Sequence, residues 1–112
     1  MKAEILKYEM DFFDEEFCRS QNNLENRLSA DFMEYGKSGR VYHRRDTIDA
    51  LLGSQSRNIR IEGFELTALH EELFLVHYLS THLEDHVKAL RTSIWKREEG
   101  LLKMLFHQGT LV

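Results

Sequence analysis

The chain has 112 residues, enough for one hydrophobic core and too few for two comfortable ones, so a single domain over 1-112 is expected. Its 42% hydrophobic and 30% charged residues indicate neither a disordered, collagen-like nor membrane class, and a net charge of -4 argues against a nucleic-acid binder, which carries a basic surface. Cys18 is the only cysteine, so no intrachain disulfide can form and no oxidising compartment is indicated, which leaves the cytoplasm as the expected location.

The opening stretch MKAEILKYEMDFFDEEF alternates charged and apolar residues and holds no uninterrupted apolar run, matching neither a signal peptide nor a spanning helix. Leu6, Met10, Phe13 and Phe17, then Leu24 and Leu28, follow helical spacing and predict an apolar stripe on a helical first third. Ser20-Gln21-Asn22-Asn23 breaks it into two helices. Asn22 followed by Glu25 fits a capping box, which would start the second helix near Asn23. Asp11, Asp14, Glu15 and Glu16 fall mostly off the stripe as a solvated face, and Cys18 sits on its flank as packing.

Ala30 to Gly36 predicts a short aromatic-rich strand, Lys37-Ser38-Gly39 a turn, and Arg40-Val41-Tyr42 a second extended piece, together a small hairpin. Helical spacing returns through Ile48, Leu51 and Leu52, with Gly53 placed as a left-handed C-cap. Beyond Asn58, four antiparallel strands are expected at 58-69, 72-82, 87-98 and 101-110. In the first, Ile59 and Ile61 share one parity while Phe64, Leu66 and Ala68 share the other. Gly63 at the change predicts a β-bulge. The second strand is apolar in both parities and reads as central and covered on both faces. This order gives an α+β domain with helices on one face of a curved sheet and a cavity on its concave side.

With Glu99-Gly100 as a two-residue turn, Trp95 opposes Met104, Ser93 opposes Phe106 and Arg91 opposes Gln108. That register puts Arg91, Ser93, Trp95, Phe106 and Gln108 on the concave face, and Ile94, Leu105 and His107 on the outer one. Lys96 and Lys103 oppose each other near an exposed tip.

The segment DFMEYGKSGRVYHRRDTIDALL, followed later by ALRTSIWKREEGLLKMLFHQGT, resembles the SnoaL/ketosteroid-isomerase-like, domain-of-unknown-function branch of the nuclear transport factor 2-like superfamily. The likeness runs from about Leu24 to Thr110. Its most specific pieces are the run from Asp31 to Gly39 and Phe106-His107-Gln108-Gly109-Thr110. Members commonly carry an aromatic residue two positions after the turn glycine, where this chain has Leu102. The resemblance implies a cone-shaped curved antiparallel sheet packed against N-terminal helices, and homodimerisation through the sheet. It implies no single activity, because the scaffold serves isomerases, dehydratases, polyketide cyclases, transport adaptors and oligomerisation domains. Function therefore has to come from the site.

Glu34 shares a strand face with Phe32; near an apolar cavity its carboxylate would be desolvated and could act as a base, or it could pair with an arginine. His77 and His107 are candidates for acid-base chemistry or for structural hydrogen bonding. Tyr42, Tyr78 and Trp95 could turn polar tips into a pocket or serve as core aromatics. Arg91 with Gln108 suits a carboxylate or carbonyl oxygen, the alternatives being an ion pair to Glu34 or a dimer contact. Phe32, Tyr42, Arg91, Ser93, Trp95, Phe106 and Gln108 make up the expected ligand-binding set. His82 and His86 would suit a metal on a helix but fall in a loop between strands, and no metal or cofactor is assigned. No phosphate-binding glycine loop or nucleophile motif is present. The expectation is a cavity for a small, partly apolar organic molecule, with proton abstraction, isomerisation or dehydration as its chemistry if it is catalytic. The alternative is a non-catalytic dimerisation or adaptor domain with a filled interior.

Overall fold

Three helices, α1 (Lys2–Asp11), α2 (Glu15–Cys18) and α3 (Gln21–Arg27), lead into β1 (Leu28–Tyr35) and β2 (Val41–His43) in a computed structural model that describes every residue from Met1 to Val112. Helix α4 (Arg44–Leu52) follows, then β3 (Ile59–His70), β4 (Leu73–His82), β5 (Lys88–Glu98) and β6 (Leu101–Leu111). The strands form one sheet in the order β2-β1-β6-β5-β4-β3. Strands β3 to β6 are an antiparallel meander, as their turn spacing predicts, whereas β1 joins β6 in parallel.

The helical third is built differently from its expected stripe. Ile5 and Glu9 are the buried residues of α1, Leu6 is half-buried and Met10 is exposed, so the buried face is shifted by one residue. The helix stops at Asp11, which breaks the spacing that ran on through Phe13 and Phe17, and its inner face includes an acid. Helix α3 starts at Gln21 rather than near Asn23, because the Ser20 hydroxyl caps it by accepting the Asn23 backbone N–H at 3.1 Å. Asp11 leaves the solvated face to accept from Arg27 at 3.0 Å, and that guanidinium lies 3.7 Å from the Tyr8 ring centroid. Cys18 is in the core, its thiol donating to the Phe12 carbonyl at 3.4 Å. Gly53 has φ -101° and is no left-handed cap; α4 ends instead with the Ser54 N–H and hydroxyl on the Leu51 carbonyl.

Trp95 is fully buried at the centre of a core that includes Leu24, Leu28, Phe32, Ile48, Phe74, Val76, Leu102 and Met104. The Tyr8 and Phe12 rings of the N-terminal segment pack 5.9 and 6.4 Å from it. Truncating such a residue to alanine costs about 3–5 kcal/mol. Helices cover this concave face only. On β4, Phe74, Val76 and Tyr78 are buried inward, while Leu75 and Leu79 are half-buried outward and His77 is exposed, so the expectation of cover on both faces is corrected. No helix is long and apolar enough to cross a membrane.

Two bulges set which side chains reach the concave face. Gly63 has φ +66°, and the β3–β4 register breaks between Glu62 and Glu65, where the change of parity placed it. The second bulge carries no glycine. The β5–β6 turn has positive φ at Glu99 (52°) and Gly100 (80°), as a primed two-residue turn requires, and Lys96 pairs with Lys103 and Trp95 with Met104. Ile94 then pairs with Phe106, leaving Leu105 as an extra residue. From there Ser93 opposes His107 and Arg91 opposes Gly109. Because side chains alternate, one extra residue exchanges the faces: His107 and Gly109 turn inward, and Phe106 and Gln108 turn outward.

Candidate functional site

The concave face of β1, β4, β5 and β6, together with α1, α4 and the β1–β2 turn, encloses a cavity of about 450 Å³. Phe12, Phe13, Leu28, Phe32, Leu51 and Met104 give it apolar walls. Glu9, Glu34, Tyr42, Thr47, Arg57, Tyr78, Arg91 and His107 contribute polar groups, joined at the β1–β2 turn by the exposed Lys37 and Ser38.

Glu9 enters from α1 and is 2% exposed. Its carboxylate accepts from the Tyr78 hydroxyl at 2.6 Å and the Trp95 indole N–H at 2.8 Å. Burial pushes its pKa up, opposed by the hydrogen bonds of Tyr78, Ser93 and Trp95 and by the Arg91 charge. Burial also raises the Tyr78 hydroxyl, reinforced by the neighbouring Glu9 charge.

Arg91, on β5, reaches both neighbouring strands, β4 and β6. Its Nε donates to Ser80 Oγ at 2.8 Å and its Nη1 lies 3.3 Å from His107 Nε2. A guanidinium can only donate, so His107 Nε2 is the accepting nitrogen and the proton sits on Nδ1, which donates to Ser93 Oγ at 2.7 Å. Burial and the Arg91 charge depress the His107 pKa to about 3. This histidine is a neutral hydrogen-bonding link at neutral pH. Glu34, on β1 beside His107 in the sheet, has a single hydrogen-bond partner, the Thr47 hydroxyl at 3.3 Å. Burial raises its pKa, countered by Thr47 and by the charges of Arg91 and Arg57.

Of the residues expected at a site, Phe32, Glu34, Tyr42, Arg91 and His107 line the cavity. Ser93 and Trp95 lie fully buried behind its wall and act through His107 and Glu9. Phe106 and Gln108 are on the outer face because of the Leu105 bulge, so the pairing of Arg91 with Gln108 is corrected: Gln108 opposes Thr92. His77 is exposed on that same face opposite Thr92, away from the cavity. His82 ends β4 and His86 lies within the β4–β5 turn, with a His82 ring nitrogen 2.9 Å from the Asp85 carboxylate.

Glu9, Arg57 and Phe13 are among the cavity residues that the sequence pattern does not mark. Glu9 stands four positions after Ile5, an acid at a buried helical position that a correctly phased stripe would have exposed. Arg57 lies in the irregular stretch between α4 and β3, where no periodicity marks a side chain as inward. Phe13 was placed on the helical stripe and instead turns its ring toward both arginines, 4.9 Å from the Arg57 and 5.3 Å from the Arg91 guanidinium carbon.

No family model matches the sequence, and no curated protein matches it. Solved structures do match. A nuclear transport factor 2-like protein of Cytophaga hutchinsonii superposes with a TM-score of 0.82 at 17% identity, over 100% of this chain and 98% of that one. A protein of Exiguobacterium sibiricum, described as a candidate calcium/calmodulin-dependent kinase II association domain, superposes at 0.78 with 18% identity, over 99% and 91%. A candidate ketosteroid isomerase of Parabacteroides distasonis superposes at 0.78 with 9% identity, over 96% and 85%. Likeness at these identities carries architecture and not activity. The helix-covered curved sheet, the parallel β1–β6 pairing and these superpositions give this chain the nuclear transport factor 2-like fold.

Proposed function

We propose that the cavity binds a small, partly apolar organic molecule and that Glu34 exchanges a proton with it while Arg91 polarises a ligand oxygen. The observation that carries this is a desolvated carboxyl, held only by Thr47, opening into the same apolar cavity as a guanidinium. Raising a carboxyl above its ordinary range brings it toward the pH at which it can both take and give a proton. His107 is unsuited to that role with its pKa near 3 and both ring nitrogens engaged. Proton abstraction beside a carbonyl, leading to isomerisation or dehydration, fits one carboxyl base and one cationic group. The description of the Parabacteroides neighbour points the same way.

The test is saturation-transfer NMR with small cyclic ketones, together with deuterium exchange at the carbon beside their carbonyl. Binding is expected to vanish in Leu51→Trp, which fills the cavity. Glu34→Gln is expected to keep binding and to slow exchange by about a hundredfold or more, the usual effect of removing a general base. Absence of ketone binding to the unaltered protein sinks the carbonyl substrate; undiminished exchange in Glu34→Gln sinks the role of Glu34.

A second reading, a dimerisation or adaptor domain, draws on the outer face of the sheet. Leu75, Leu79, Ile94 and Phe106 are half-buried there, Leu90 is 52% exposed, and Tyr35 packs edge-on against Phe106 at 5.2 Å. We propose a second copy of this chain as its partner, as the family resemblance implies. The association-domain description of the Exiguobacterium neighbour supports this reading.

A further inference from the structure

The cavity contains two arginines that have no ionic partner. Arg57 donates from Nη2 to the Phe12 carbonyl at 3.2 Å, and its Nε is buried with no hydrogen-bond acceptor. Arg91 is held by Ser80 and His107, both neutral, and its Nη2 makes no hydrogen bond. Neither guanidinium has a carboxylate within 4.0 Å, although Arg27, Arg45 and Arg60 each pair with one elsewhere in the chain. The two cavity acids do not fill the gap: Glu9 is occupied by Tyr78 and Trp95, and Glu34 by Thr47. Burying a charge among neutral acceptors is costly, and two like charges facing one cavity add repulsion.

We propose that the molecule held in the cavity is an organic monocarboxylate, its carboxylate bound between Arg57 and Arg91 and its apolar body lying against Phe12, Phe32, Leu51 and Met104. This rests on the reading that the cavity binds a small molecule, and adds the ligand's charge and class. The forked donors of a guanidinium match the two oxygens of a planar carboxylate, and Arg57 Nη1 and Arg91 Nη2, which make no hydrogen bond within the chain, supply a donor from each side. The Phe13 ring, stacked near both guanidinium groups, keeps them at one end of the cavity. Glu9 and Glu34 on the same walls disfavour a polyanion, and the apolar remainder disfavours a wholly polar acid.

The experiment is calorimetric and NMR titration of the full chain with benzoate, cyclohexanecarboxylate and 2-naphthoate, each against its uncharged amide, with inorganic phosphate as a further probe. At least one acid is expected to bind about tenfold or more tighter than its amide, the scale of a charge-assisted hydrogen bond. That preference should fall to within about twofold in Arg57→Gln and in Arg91→Gln, and partly survive in Arg57→Lys, which keeps the charge but not the fork. Should Arg91→Gln fail to fold, Arg57→Gln carries the test alone, its side chain being at the cavity's loop edge. Amides binding as tightly as acids, with binding abolished by Leu51→Trp, would overturn the carboxylate assignment and leave the cavity reading intact. No binding of either series overturns both. A preference for acids unchanged in the arginine variants, or phosphate bound more tightly than every acid, also overturns the proposal.

Discussion

At the residue scale, the cavity wall is held in place by hydrogen bonds to groups buried behind it. The Trp95 indole holds the Glu9 carboxylate, and Trp95→Phe would preserve the ring packing while leaving that carboxylate short of a donor. An expected loss of about 1–3 kcal/mol, measured by urea denaturation, follows from the cost of an unsatisfied buried acceptor. His107 makes a second prediction, through pH. Its folded pKa near 3 lies below the ordinary 6.5, so above pH 6.5 it is neutral in both states and adds no pH dependence. Between 6.5 and 3 the unfolded chain takes up a proton that the folded protein refuses. Stability from this group therefore falls as pH falls, by up to about 1.4 kcal/mol per unit. Glu9 and Glu34 work in the opposite sense: their raised values make a contribution present at acidic pH and lost as pH climbs above 4.5. Replacing His107 by Gln should remove the acid-side loss and leave the carboxyl contribution visible, which urea titrations from pH 4 to 7 would resolve. An unchanged slope would mean that His107 is already charged in the folded state.

At the scale of elements, strand limits were legible because alternation and turn residues mark them, and the six strands stand close to where the pattern put them, whereas the stretch that reads as one helix before Ser20 is two, α1 and α2. What the pattern could not show was facing. Gly63 announces its bulge because a glycine interrupts the parity, whereas the bulge at Leu105 is made of ordinary residues and passes unseen. That single residue accounts for the exchange of Phe106 and Gln108 for His107 and Gly109 at the site. In α1, hydropathy alone favoured Leu6 and Met10 and hid an acid on the buried face. Arg57 was hidden for a different reason, since an irregular connection has no period to read. Deleting Leu105 tests this account. Without the unpaired residue a regular hairpin still sets Ile94 opposite Phe106 and Ser93 opposite His107, so His107 should stay inside as the acceptor of Arg91 and Gln108 should stay outside. The His107 ring resonances are expected to keep their buried values in this variant, and their movement to solvent-exposed values would refute Leu105 as the extra residue.

At the scale of the whole molecule, the sheet divides the protein into a helix-covered side and a bare one. The bare side centres on Ile94 between Leu75 and Phe106, and a second copy of the chain would remove that surface from water. Analytical ultracentrifugation is expected to find a dimer, and Ile94→Glu should give a monomer with unchanged far-UV circular dichroism; a monomeric parent protein would refute the interface. The parallel seam between β1 and β6 bears on how the chain assembles during synthesis. Glu9 waits for Trp95, 86 positions downstream, and Leu28 of β1 waits for Met104, nearly as far along the chain. The helices and the first hairpin leave the ribosome with apolar faces that nothing yet covers, so closure is a late, long-range event dominated by loop entropy. The chamber therefore comes into being only when its most distant parts meet. During that interval the uncovered apolar faces leave the nascent chain open to aggregation.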